Sequence, residues 1–156
     1  MANKGFTVKV DIDFKRLNKA IAVASESALE KTAVQMMDWN VNGSPAVPES
    51  PPIRTGFLRG STSAFVGKKL VGTSGYPVTG GSAAPATSYN GKNKVITVGF
   101  NAAYATKMHE DKSLRPGAFS QQAGSSNPGN QWAMRHAKGD AKASAQLIAK
   151  LMEKKL

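Results

Sequence analysis

Between positions 13 and 40 the chain carries neither proline nor glycine, although it holds 15 glycines and 8 prolines elsewhere. A run that long without either backbone breaker can be filled most simply by one long helix, which the rest of the fold must then accommodate. The apolar residues support this. Phe14, Leu17, Ile21, Ala24, Ala28 and then Met36 recur at helical spacing and form an amphipathic stripe. Asp13 offers an N-cap, with Asp11 as the alternative. The helix is expected to end near Trp39–Asn42, where "NGSPAVPESPP" supplies Gly43 and four prolines.

Around that helix the pattern is mostly of strands. "FTVKVDID" (6–13) alternates, with Phe6, Val8, Val10 and Ile12 on one face. "FLRGSTSAFVG" (57–67) predicts a strand from Leu58 to Val66, starting just after a Thr55-Gly56 turn, and "KKLVG" (68–72) a second. "KVITVGF" (94–100) alternates clearly. "NAAYATKMHED" (101–111) fits one or two helical turns, with Tyr104 and Met108 on one side. The C-terminal "QWAMRHAKGDAKASAQLIAKLMEKKL" reads as helix, with Gly139-Asp140 as a break and Asp140 capping the second part. Two stretches, 73–93 and 112–130, are rich in small residues and poor in apolar anchors, and read as loops or arms that order on contact. The expected fold is α+β: a small antiparallel sheet with the long N-terminal helix and a C-terminal helix packed on it.

Length and composition bound the rest. A chain of 156 residues, 40% hydrophobic, suits one domain spanning 1–156, with the two arms as insertions. No apolar run reaches the roughly 18 residues of a membrane span. The N-terminus lacks the apolar core of a signal peptide, so a soluble protein made in the cytoplasm is expected. The absence of cysteine excludes disulfides, thiolate metal sites and cysteine nucleophiles. The net charge of +11 is uneven: residues 1–50 balance, 51–110 carry seven basic residues against one acidic, and 111–156 eight against three. Such a surface suits nucleic acid or another polyanion, or acidic protein neighbours.

Signs of catalysis are few. His109-Glu110 opens like a zinc-protease helix, but position 113 is Ser, and His136 is the only other histidine. No G-x-S-x-G and no G-x-x-x-x-G-K-[ST] occurs, and "GTSGYPVTGG" is followed by no helix that could cradle phosphate. The reading is a non-enzyme with no catalytic residue, cofactor or metal. The stretch "PPIRTGFLRGS" (51–61) reads as strand initiation: prolines stiffen the approach, Gly56 turns, and Leu58 buries. Arg59 falls on the other face with Ser61 and Ser63, a candidate ion-pair partner for Glu30 or Asp38.

"RTGFLRGS" also resembles the T-G-x-L-R-x-S signature of tailed-phage neck and tail-completion proteins, the group of head-tail joining, tail-component and minor tail protein Z-like chains. Thr55, Gly56, Leu58, Arg59 and Ser61 occupy its places. "KVITVGFNAAYATKMHE" is similar to that family's strand and following Tyr-Ala…Glu segment, matched by Tyr104, Ala105 and Glu110. "NQWAMRHAKGDAKASAQLIAKLM" is similar to its C-terminal helix, with Trp132 as aromatic anchor. The order of elements matches over most of the chain outside 73–93 and 112–130. Asp-Lys-Ser follows Glu110 where the family often has Gly, and the 73–93 loop is longer than usual. The resemblance implies a virion structural protein of the neck, built in several copies into a ring between head connector and tail. Its partners would be further copies of itself, head-connector proteins, and tail-terminator or tail-tube proteins. Genomic DNA would pass without sequence-specific binding, and no membrane would be involved. A free basic nucleic-acid-binding protein is the alternative.

Overall fold

The computed structural model describes residues 14–48, 50–51, 56–75, 85–92, 94–111, 113 and 132–155, with side chains from Ile21 in the first helix and from Met134 near the C-terminus. The expected strand at 6–13, the Asp11 and Asp13 candidates for capping the long helix, and Thr55 lie outside these residues. So do residues 76–84 and 93 of the arm at 73–93 and, apart from Ser113, the arm at 112–130.

The predicted long helix is present. Helix α1 (Phe14–Asn42) runs 29 residues, roughly 43 Å at 1.5 Å per residue. Its buried face is Ala24, Ala28, Thr32, Ala33, Met37, Asn40 and Val41. The stripe read from sequence is right at Ala24 and Ala28 and then drifts. Met37 is buried where Met36 was expected, and Ile21 is exposed. The helix stops at Gly43, whose φ of 89° is left-handed and whose N–H donates to Trp39 O at 2.8 Å. A Cβ at Gly43 would stand 2.8 Å from Pro48 O, so both conformation and space require glycine there.

After the proline-rich loop comes a short helical turn, α2 (Phe57–Gly60). Strands β1 (Thr62–Val66), β2 (Lys69–Thr73) and β3 (Ile96–Phe100) follow. They form an antiparallel sheet in the order β2-β1-β3, leaving outer edges on β2 and β3 among the described residues. The β1–β2 connection is a two-residue hairpin with Gly67 at φ 60°, as such turns demand. Register slips between Ala64↔Gly72 and Phe65↔Leu70, making Val71 the extra residue of a bulge. Helix α3 (Ala105–Glu110) follows β3, and the chain ends in α4 (Trp132–Gly139) and α5 (Ala141–Glu153), the latter packed along α1. The architecture is α+β, as expected from the sequence.

Two apolar clusters hold the layers. Ala33 and Met37 of α1 meet Ala64, flanked by Val66, Val71, Ile96 and Val98, which joins helix to sheet. Leu58, Ala102 and Ala105, with Phe57, Phe100 and Met108, form the second. On the opposite face of β1, Phe65 is buried under Tyr89, ring centroids 5.6 Å apart.

Candidate functional site

The stretch from Gly56 to Ser61 does not begin a strand; the strand starts only at Thr62. Gly56 takes a left-handed φ of 77° and feeds the chain straight into α2. The reason lies in the hydroxyls that follow. Ser61 Oγ donates to Leu58 O at 2.7 Å and Thr62 Oγ1 to Arg59 O at 2.8 Å, so both satisfy carbonyls that a helical turn leaves open. The turn sends Leu58 into the second cluster and also carries Arg59 inward, 4% exposed. Arg59 Nε donates to Pro51 O at 2.9 Å and its terminal nitrogen to Ser50 Oγ at 2.8 Å. The expected pairing with Glu30 or Asp38 is therefore corrected. Glu30 accepts instead from Lys69 Nζ at 2.5 Å, and Asp38 from Asn42 at 2.8 Å. A strand would have set Arg59 across the sheet from Leu58; a helical turn lets both point inward, and the guanidinium staples the proline loop.

Ser61 also reaches across the chain. Its Oγ accepts from Ala102 N–H at 3.2 Å and its carbonyl from Asn101 N–H at 3.1 Å. This brings the segment after β3 onto α2. Ala105 is buried against Leu58, and the Tyr104 ring lies 6.2 Å from Phe57, tilted by 33°. Partial burial raises the Tyr104 phenol above its ordinary value. Gly56, Leu58, Arg59, Ser61, Tyr104 and Ala105 thus belong to one unit. Glu110 does not join it: its carboxylate is exposed and lies 2.6 Å from Nδ1 of neighbouring His109. Trp132 opens α4, and its side chain is outside the described residues.

A second polar cluster escaped sequence reading. His136 Nδ1 lies 2.6 Å from Asp140 Oδ2, and Ser44 Oγ donates to Asp140 Oδ1 at 2.6 Å. His136 and Asp140 are each 2% exposed. Asp140 therefore does not cap α5 with its side chain, as the sequence suggested; the carboxylate is spent on Ser44 and His136. The order matters chemically. Nucleophilic catalysis needs the imidazole between hydroxyl and carboxylate, to take the hydroxyl proton. Here the carboxylate stands in the middle. The trio is a clasp between the α1 C-terminus and the α4–α5 break. Gly139 sits in the same joint, where an added Cβ would fall 2.1 Å from Val47 Cγ2. The i,i+4 spacing of His136 and Asp140 was visible in the sequence; the arrival of Ser44 was not.

Other features are plainer. An open hollow of about 570 Å³ lies between α1 and the end of β2, lined by Val34, Met37, Val41 and Ser74, with Lys31 and Asp38 at the rim. Among the described residues no three His, Asp or Glu side chains stand close enough to hold a metal ion. None of the described helices is long and apolar enough to cross a membrane. Comparison with known protein families, with curated proteins and with solved structures found no match.

Proposed function

We propose that this chain is a structural subunit of a tailed-phage neck, assembling in several copies into a ring between head connector and tail. The observation that carries the reading is the unit around Ser61. The two stretches that resemble the neck and tail-completion signature, 54–61 and 94–110, are distant in sequence, yet Ser61 bonds to Asn101 and Ala102, and Leu58 packs on Ala105. The signature reads as a folding device that joins α2 to the β3–α3 segment, which fits a scaffold role better than chemistry. Among the described residues β2 forms an outer edge of the sheet, which supplies backbone groups for pairing with a neighbouring subunit. Head-to-tail contacts of that kind close into a ring when the rotation between copies permits. In this reading the protein is not an enzyme and needs no cofactor.

The +11 charge favours a second reading, a free basic nucleic-acid-binding protein. One pair of measurements separates them: the mass of the species formed with head-connector and tail-tube proteins of the same phage, and duplex DNA affinity across a salt series. A neck subunit forms a discrete higher-mass species and holds duplex DNA only at low salt. A strictly monomeric protein that binds duplex tightly at physiological salt would overturn the neck reading.

A further inference from the structure

The hairpin turn between β1 and β2 and the lead-in to β3 come together at one end of the sheet. Gly67 N–H donates to Val95 O at 2.9 Å, and a Cβ added to Gly91 would stand 2.5 Å from Gly67 O. The residues carried to this end are Lys68 and Lys69 on the hairpin and Lys92 and Lys94 on the lead-in, all exposed. Tyr89, 46% exposed, lies beside them against Phe65. Lys69 is neutralised by Glu30. Among the described residues no carboxylate forms an ion pair with Lys68, Lys92 or Lys94. Two stretches more than twenty positions apart have thus placed three ammonium groups with no ion-pair partner among the described residues, and an aromatic ring, on one tip.

We infer that this tip is a contact surface for the phosphate backbone of duplex nucleic acid, with Lys68, Lys92 and Lys94 as the phosphate-binding groups. Lysine offers a flexible point charge that neutralises phosphate without reading sequence, which suits DNA that slides past. A second copy of this chain fits less well. Of its described carboxylates, Glu30, Asp38, Glu110, Asp111 and Asp140 already accept hydrogen bonds within the chain. A polyanion supplies negative charge that the protein itself largely lacks. The inference places the DNA-facing surface of the proposed neck subunit, yet it is tested on free protein and duplex, so its failure would leave the ring reading standing.

The experiment compares two full-length variants of equal charge. One carries Lys68→Gln, Lys92→Gln and Lys94→Gln; the other carries Lys142→Gln, Lys150→Gln and Lys154→Gln on and just after α5, all equally solvent-facing. Affinity for a mixed-sequence duplex is measured from about 20 to 200 mM salt. Each phosphate contact contributes a log–log slope of roughly −0.9, so losing three lysines should flatten the slope by about 2.7. The α5 triple should keep most of the parent slope. An unchanged slope in the tip triple, or equal flattening in both variants, overturns the inference. So does tighter binding of the parent protein to phosphatidylserine vesicles than to duplex, with the same tip dependence. Circular dichroism melts of both triples establish that any loss is of binding and not of fold.

Discussion

Single residues settle what the 56–62 stretch becomes. Arg59 is buried with two donors fixed on the Ser50–Pro51 loop. Lysine keeps the charge but not the planar fork, so Arg59→Lys should lose about 1.5–3 kcal/mol, the worth of a hydrogen bond from a charged group. Urea unfolding would measure it, and a midpoint unchanged from the parent would mean that the staple is idle. Lys94 is the opposite case. It is the one non-glycine residue with positive φ among the described residues, at 60°, in a turn closed by Val95 N–H on Lys92 O at 3.2 Å. A left-handed conformation costs an L-residue roughly 1–2 kcal/mol that glycine avoids. Lys94→Gly should therefore raise the melting temperature, an uncommon outcome for a change to glycine. A fall would show that the lysine side chain holds the turn by some contact of its own.

At the level of elements, the two clusters and the clasp divide the work. Leu58, 4% exposed, is the buried apolar side chain that α2 sets against Ala102 and Ala105. Leu58→Ala should cost about 2–5 kcal/mol, as truncations of buried leucine do, and an unshifted melt would remove the signature from the core. The clasp calls for a double-mutant cycle. Ser44→Ala and Asp140→Ala each remove the Ser44–Asp140 bond, so their effects should fall short of additive by about 0.5–3 kcal/mol. Strict additivity would mean that the 2.6 Å contact contributes nothing. These elements also differ in how readable they were. Helix α1 was legible because its period repeats over 29 residues and no breaker interrupts it. Strand β3 was legible from alternation, and β1 from its small, hydroxyl and β-branched residues. Helix α2 was not, because Phe57 and Leu58 suit a strand equally well. The deciding bonds run from Ser61 and Thr62 back to α2 carbonyls and from Ala102 onto Ser61, and no local period encodes them. The clasp was half legible: two of its members share a helical face, while the third comes from the far side of the proline loop.

For the molecule as a whole, charge works against compaction. With 21 basic and 10 acidic residues, the folded chain repels itself more than the expanded one does. Raising salt from about 20 to 200 mM should therefore raise the melting temperature, because the Debye length shrinks below the spacing of surface lysines. The Lys69–Glu30 pair is the main described contact that salt would weaken. The hydrogen bond and charge of Glu30 raise the Lys69 amine above its ordinary value. Any stability it lends is complete below the unfolded lysine value and is lost only as pH climbs through the raised folded one. Near neutrality the pair is intact, and being solvent-exposed it is too weak to reverse the trend. A melting temperature that drops with salt would mean that attraction, not repulsion, governs this surface. The Ser44–Asp140 clasp finally sets a schedule for biosynthesis. Its two sides are 96 positions apart, so the tail of α1 leaves the ribosome long before its partner is translated. Until Asp140 emerges, Ser44 lacks the carboxylate that accepts its hydrogen bond, and Val47, without its place against Gly139, stays exposed to chaperones. A nascent chain stalled before that point should remain a client of them, whereas one released after α5 should not.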